Sequence, residues 1–112
     1  MIEIIDLSYA RIGTEDLGKA VRFATDILGL QLVREEENRA YVRGDERDHD
    51  ICYLGGDPAD QVLGFELSDE TALKNAYETL KSAGVEVRQG TAVECEDRRV
   101  QQFVSFRDPT GN

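Results

Sequence analysis

The hydrophobic and polar positions in the first half of the chain predict a strand, a helix and three further strands. Polar and apolar residues alternate from Ile2 to Ile12, as in a strand with one covered face. From Leu17 to Leu28 apolar residues recur three and four positions apart, which indicates a helix with Thr14 as its N-cap and Gly29 as its end. The next strands are predicted at Gln31–Glu36, Arg39–Arg43 and Asp50–Leu54.

The same order of elements is predicted again after the turn Gly55-Gly56-Asp57-Pro58. A strand at Val62–Leu67 precedes a helix with Ser68 as its N-cap and Gly84 as its end. Further strands are predicted at Val85–Arg88, Thr91–Glu94 and Val100–Phe106. The two helix ends are 55 residues apart. The chain therefore has the pattern of two βαβββ units, one at about 1–56 and one at about 60–112.

Tandem βαβββ units predict an α+β fold. Each helix covers one face of its sheet, so we expect a curved, mostly antiparallel sheet with helices on the convex face and an open concave face. The segment 108–112, Asp-Pro-Thr-Gly-Asn, has the composition of a tight turn that should lead into another strand. We expect the second unit to be truncated at its C-terminus, the alternative being a complete fold with a frayed end.

Composition narrows the classes of function. The chain has 112 residues, the size of one domain, and a formal net charge of −10. So acidic a surface repels phosphate backbones and anionic lipids, which disfavours binding to nucleic acid or membranes. The sequence contains no apolar run near the roughly 20 residues that span a bilayer, and its first residues lack the pattern of a signal peptide. We therefore expect a cytoplasmic protein.

Cysteine and histidine content limits the chemistry further. Cys52 and Cys95 are far apart and outside any metal-binding motif, so we expect free thiols. Acidic neighbours around Cys95 disfavour a reactive thiolate there. His49 is the single histidine, whereas an iron site of two histidines and one carboxylate needs two imidazoles. This chain alone is therefore not expected to build such a site.

Three motifs in order resemble the vicinal oxygen chelate superfamily, which includes glyoxalase I, bleomycin-resistance proteins and extradiol dioxygenases. They are Asp16-Leu17-Gly18-Lys19-Ala20-Val21-Arg22-Phe23, Ile27-Leu28-Gly29-Leu30 and Asp108-Pro109-Thr110-Gly111-Asn112. Within that group the chain is most similar to the N-terminal domain of two-domain extradiol dioxygenases. The segments that carry this closer similarity are Leu7-Ser8-Tyr9 and Gly64-Phe65-Glu66-Leu67-Ser68-Asp69.

The resemblance implies that catalysis resides elsewhere. In such enzymes the Fe(II) lies in the C-terminal domain. The family's ligand positions fall here on Tyr9 and Val62, and the third would lie beyond Asn112. The resemblance thus implies no catalytic, cofactor-binding or metal-binding residue in this domain. It also implies a C-terminal catalytic domain, an aromatic diol and O2 as partners of the full-length enzyme, and a homo-oligomer.

Four residues are candidates for lining a cavity on the concave side: Tyr9, Arg11, Glu66 and His49. For Tyr9 we favour a packing residue with a hydrogen-bonded hydroxyl over a metal ligand. For Arg11 and Glu66 we favour an ion pair over capture of an anionic substrate. For His49 we favour a solvated hairpin residue over one that lines a channel or an interface.

The acidic runs Glu35–Glu37 and Glu94–Asp97 are predicted to be solvated hairpin tips, because neither has the ligand pattern of a calcium loop. Three functions remain open. The first is the non-catalytic N-terminal domain of an Fe(II)-dependent extradiol dioxygenase. The second is a metal-free, dimeric small-molecule-binding protein of the bleomycin-resistance kind. The third is a metal-dependent isomerase or lyase of the glyoxalase type.

Overall fold

The computed structural model describes every residue from 1 to 112, and its mixture of helices and sheet confirms the α+β class. The first elements are β1 (Asp6–Thr14), α1 (Leu17–Arg22), a π-helix (Phe23–Ile27), β2 (Gln31–Glu36), β3 (Arg39–Arg43), β4 (Ile51–Gly55) and β5 (Gln61–Glu66). They are followed by α2 (Glu70–Ser82), β6 (Val87–Gln89), α3 (Ala92–Arg98) and β7 (Val104–Phe106). No helix has the length and apolar character needed to cross a membrane.

The chain forms two compact units. The first comprises Leu7–Phe65, and the second comprises Met1–Asp6 together with Glu66–Asn112. The strand predicted to open the second sequence repeat is thus grouped with the first unit, where it forms β5. The duplication of a βαβββ unit remains a prediction.

The first unit is built on a curved five-stranded sheet with the strand order β2-β3-β4-β1-β5. Strands β2, β3 and β4 are joined by antiparallel pairings, whereas β1 and β4 are parallel. The predicted curved and mostly antiparallel sheet is therefore confirmed. One face is apolar and carries Ala10, Ile12, Ala40 and Val42. Helix α1 contacts β3 and β4. Because the residues of these strands that are suited to pack against a helix lie on the apolar face, α1 covers that face.

The first helix begins at a different residue from the predicted one. Asp16 is the N-cap, and its Oδ1 accepts a hydrogen bond from the Lys19 N–H at 3.0 Å. The prediction of Thr14 as the N-cap was wrong, because Thr14 is the last residue of β1. Its hydroxyl bonds to the backbone of Asp16 and not to an N–H of the helix. The helix continues as a π-helix and ends at Gly29 as predicted, with a left-handed φ of 73°.

The second unit contains α2 and a two-stranded antiparallel sheet of β6 and β7. The N-cap of α2 is Asp69, whose Oδ1 accepts from the Ala72 N–H at 2.8 Å, so the prediction of Ser68 was wrong by one residue. A carboxylate at this position also interacts favourably with the helix dipole. Gly84, with a φ of 81°, follows the C-cap as predicted.

The segment Thr91–Glu94 begins helix α3 and does not form the predicted strand. The Thr91 hydroxyl accepts from the Glu94 N–H at 3.2 Å, and the Glu94 carboxylate accepts from the Thr91 N–H at 3.0 Å. This reciprocal pair is a capping box, which satisfies two N–H groups that a strand would have had to pair elsewhere. Arg88 also donates to both oxygens of Glu94, at 2.7 and 2.9 Å.

Helix α3 also corrects two other predictions. The acidic run Glu94–Asp97 is helical and not a hairpin tip, and Cys95 within it is buried. The strand predicted from Val100 is shortened to β7, because the Val100 N–H bonds to the Cys95 carbonyl after a left-handed Arg99 and so closes the helix end. In the run Glu35–Glu37, by contrast, all three residues are exposed, Glu35 and Glu36 end β2, and Glu37 begins the turn to β3.

The remaining strand boundaries differ by a few residues. The first strand begins at Asp6 and not at Ile2, and β6 covers Val87–Gln89 and not Val85–Arg88. The fully buried residues of the first unit are Ala24, Ala40, Tyr41, Val42 and Cys52. The side chains of Tyr41 and Cys52 point away from the apolar face. Because both are fully buried, the opposite face of the sheet is also covered.

Candidate functional site

Four side chains form a row across one face of the five-stranded sheet. Arg34 on β2 is paired with Tyr41 on β3, Tyr41 with Cys52 on β4, and Cys52 with Arg11 on β1. Directly paired residues point to the same face of a sheet. Two guanidinium groups, a phenol and a thiol therefore share one surface, which we name the polar face. Arg11 is only 7% exposed, and Tyr41 and Cys52 are completely buried.

His49 covers part of the polar face. It lies in the segment 44–50 between β3 and β4, named here the β3–β4 loop, and is 4% exposed. Its ring centroid is 5.1 Å from that of Tyr41, nearly perpendicular to it, and 5.6 Å from that of Tyr9. The prediction of a solvated hairpin histidine is wrong, because these two aromatic rings enclose the imidazole.

A chain of polar contacts holds His49 in place. Arg34 Nη1 donates to Asp48 Oδ2 at 2.7 Å, and the same oxygen lies 2.8 Å from His49 Nδ1. The Arg34 guanidinium also stacks on the Tyr41 ring, 3.7 Å from its centroid. An ionised carboxylate can only accept, so this geometry assigns the proton to Nδ1. Nε2 on the other side of the ring is buried and makes no hydrogen bond.

These contacts change the acidity of the charged groups. Burial alone would raise the pKa of Asp48, but hydrogen bonds from Arg34 and His49 outweigh burial and lower that pKa below its usual value. Burial likewise disfavours the charged form of Arg34, yet its hydrogen bond to Asp48 raises the pKa of the guanidinium. The pair is therefore ionised throughout the neutral range.

The rest of the β3–β4 loop is tied to the neighbouring strands. Arg47 Nη1 donates to the Leu7 carbonyl at 3.4 Å, and Arg43 Nη1 donates to the Arg47 carbonyl at 3.2 Å. Within the loop, Asp50 Oδ2 accepts from the Gly44 N–H at 2.6 Å. The loop thus lies closed over the edge of the polar face.

The structure brings together two of the four candidate residues directly. Tyr9 contacts His49, and its ring also packs over Gly64 of β5, where a Cβ would come within 2.6 Å of the ring carbons. Arg11 shares the polar face with them. Glu66, at the end of β5, is exposed, so its carboxylate is hydrated and does not need a buried partner. Cavity lining by these residues and the pairing of Arg11 with Glu66 remain predictions.

The residues of this chain do not fit an iron site. Such a site needs two imidazoles and a carboxylate, whereas His49 is the single histidine and has one nitrogen engaged by Asp48. No three His, Cys, Asp or Glu side chains are grouped to hold a metal ion. Tyr9 and Val62, the positions that the resemblance assigned to lost ligands, lie on β1 and on β5. Cys52 and Cys95 are both buried free thiols.

Sequence reasoning missed Arg34, Tyr41 and Asp48. Strict alternation along β2 would place Arg34 on the same face as Leu32, which is paired with Val42 on the apolar face. A register shift between Leu32 and Arg34 turns Arg34 onto the polar face. No spacing in the sequence marks this bulge, so the ion pair with Asp48 had no sequence signal.

The fold and the polar face define a class: an α+β domain whose curved sheet has one helix-covered face and one face lined by polar and aromatic side chains. Residues 6–112 match the family model of the Glyoxalase/Bleomycin resistance protein/Dioxygenase superfamily. The chain belongs to this superfamily, which confirms the resemblance found in its motifs.

The relatives of this chain are extradiol dioxygenases. It is 32% identical over 114 residues to a 1,2-dihydroxynaphthalene dioxygenase of Sphingobium xenophagum, with 100% of this chain and 38% of the relative covered. It is 30% identical to an iron-dependent extradiol dioxygenase of Rhodococcus jostii, with 99% and 38% covered. The chain thus spans well under half the length of the curated relatives it matches.

Crystal structures give the same picture. A catechol 2,3-dioxygenase superimposes with a TM-score of 0.89 at 29% identity, covering 98% of this chain and 39% of the other. A variant of homoprotocatechuate 2,3-dioxygenase from B. fuscum superimposes with a TM-score of 0.77 at 23% identity, covering 97% and 31%, and shares the fold.

Proposed function

We propose that this chain is the N-terminal, non-catalytic domain of an Fe(II)-dependent extradiol ring-cleavage dioxygenase. The observation that carries the proposal is the coverage of the relatives: nearly all of this chain matches 38% of each dioxygenase. A segment with that coverage corresponds to one domain of a multidomain enzyme. The similarity of Leu7-Ser8-Tyr9 and Gly64–Asp69 to the N-terminal domains of such enzymes supports its position in the chain.

The non-catalytic role is supported by the chemistry of the residues. In the proposed enzyme, Fe(II) held by another domain would supply the chemistry by which O2 opens the ring of an aromatic diol. This domain has one imidazole, and that imidazole is enclosed between two tyrosine rings. The two histidines and the carboxylate would therefore come from a C-terminal catalytic domain.

Scaffolding is the role we assign to this domain. Its sheet, with a charged network on one face and an apolar layer on the other, is a rigid body on which a second domain can be positioned. Homo-oligomer formation is part of the same proposal, since exposed apolar side chains on β5 and on the π-helix offer contact surfaces.

The first experiment is the intact mass of the native gene product. We expect about two to three times the 12.5 kDa of this chain, with a second domain of the same family in the remainder. The longer protein, loaded anaerobically with Fe(II), should then cleave catechol-type diols, while the 112-residue chain treated in parallel should not. A native mass near 12.5 kDa would refute the proposal and favour a metal-free binding protein.

A further inference from the structure

The imidazole of His49 occupies its position on the polar face as a bound ring would. Its side chain is 2% exposed, although it belongs to a loop and not to a strand of the sheet. Two aromatic rings from different strands contact it, and a carboxylate binds one of its edges. Nε2 on the opposite edge is buried without a hydrogen bond.

We propose that the polar face contains a slot for a planar aromatic ring with a hydrogen-bond donor on its edge, and that His49 fills this slot in the chain itself. The His49 side chain is then the plug and the autoinhibitory contact, whereas Asp48 of the same loop is part of the slot. This deepens the proposed non-catalytic role, on which it rests for its biological meaning, because a domain that fills its own slot has no room for an aromatic substrate.

The walls of the slot determine the class of ring. Tyr41 faces the imidazole edge-on at 78° and Tyr9 faces it tilted at 42°, both within the centroid distances of favourable aromatic pairs. Asp48, kept ionised by Arg34, accepts a hydrogen bond from the ring edge. An N–H or O–H donor on a flat ring, as in imidazole or catechol, meets these requirements, whereas a puckered ring does not.

Emptying the slot does not require the loop to open. Asp48, which accepts from the ring edge, is held by Arg34 at 2.7 Å, and Arg47 joins the loop to the Leu7 carbonyl. At the end of the loop, the backbone of Asp50 bonds to Val42 and to Ala10. The loop and its carboxylate are therefore anchored independently of the His49 ring.

The test removes the ring and offers another. We would measure the melting temperature of His49→Ala with and without about 10 mM imidazole or catechol, in the presence of a chelator. A ligand concentration of one to ten times the dissociation constant should raise the melting temperature by about 2–6 °C. The aromatic NMR signals of Tyr9 and Tyr41 should shift at the same time.

Matched controls separate the slot from general effects. Tyr77→Ala removes an aromatic ring from α2, where Tyr77 contacts Lys81, and should gain no response to either ligand. The wild-type chain should also show no shift, because His49 occupies the slot. Cyclohexane-1,2-diol carries the hydroxyl groups of catechol on a puckered ring and should not stabilise His49→Ala. A folded His49→Ala that responds to neither imidazole nor catechol overturns the proposal.

A second variant decides the question where His49→Ala does not fold. His49→Ser opens the same space and leaves Asp48 in place to accept from a ring edge, so imidazole should stabilise this variant as well. A folded His49→Ser that responds to neither imidazole nor catechol then refutes the slot. These tests involve no iron and no ring cleavage, so their failure leaves the proposed dioxygenase function standing, and failure of ring cleavage leaves the slot standing.

Discussion

Arg34 stabilises the polar face through an ion pair with Asp48 and a stack on Tyr41, and it also lies 3.4 Å from the Glu36 carboxylate. Replacing Arg34 with Ala removes these contacts and leaves the Asp48 carboxylate with His49 alone. We expect the free energy of unfolding to fall by about 1–3 kcal/mol, less than for a fully buried pair because Asp48 is partly screened by water. Urea denaturation followed by circular dichroism at pH 7 would measure it.

Arg39→Ala is the matched control for this prediction. Arg39 also lies in the sheet and forms an ion pair with Glu36 at 3.5 Å, the carboxylate that Arg34 also contacts, and both side chains of this pair are more than a third exposed. Exposed pairs of this kind contribute about 0–1 kcal/mol. Equal losses of stability in the Arg34 and Arg39 variants would show that the network around His49 has no special weight.

Helix α3 depends on its capping box, and Cys95 reports on it. Replacing Thr91 with Ala removes the hydroxyl that accepts the Glu94 N–H, which typically costs about 1 kcal/mol of helix stability. The opening of α3 should rise by about fivefold, and the Cys95 thiol should react faster with a thiol reagent by the same factor. Cys52, buried in β4, is the internal reference, and Thr71→Ala on α2 is the control variant. Unchanged Cys95 labelling would contradict the prediction.

The acidity of Glu94 tests the same element by titration. The bidentate bond from Arg88, with the Thr91 N–H, lowers the pKa of Glu94 to about 2 from an ordinary 4.5. Because the folded value is the lower one, this carboxylate stabilises α3 fully above pH 4.5 and loses that effect as pH falls through 2. An NMR titration of the Glu94 carboxyl should show this midpoint.

Arg88→Gln should raise the Glu94 midpoint toward its ordinary value, because Arg88 is the first cause of the shift. Lys74→Gln removes a cation of α2 at the surface and should leave the midpoint where it is. If both variants titrate like the wild type, the lowered pKa has another origin.

At the scale of the whole molecule, local signals in the sequence predicted the elements, and long-range register decided the site. Glycines at 29 and 84 ended their helices as predicted, because a left-handed residue at a helix end is a local property. The capping box Thr91-x-x-Glu94 is also a local pattern, so the sequence contained a signal for the start of α3 although a strand was predicted there. The burial of His49 is not local, since Tyr9 reaches it only through the pairing of β1 with β4. The bulge that redirects Arg34 has no sequence signal either.

Strand β5 offers a last prediction about the molecule in solution. It lies at the edge of the sheet, with Val62, Leu63 and Phe65 each about half exposed and no charged side chain between them. Unprotected apolar edges pair with other chains, so we expect the 112-residue chain to self-associate at high concentration.

Phe65→Lys tests this contact surface. Burying the exposed half of the Phe65 side chain in an interface would contribute about 1 kcal/mol, so the variant should weaken association by about fivefold or more. Val93→Lys adds the same charge at an isolated, 77% exposed position on α3 and should change little. Sedimentation equilibrium would measure all three proteins, and a wild-type chain that stays monomeric at about 1 mM would rule out β5 as a contact surface.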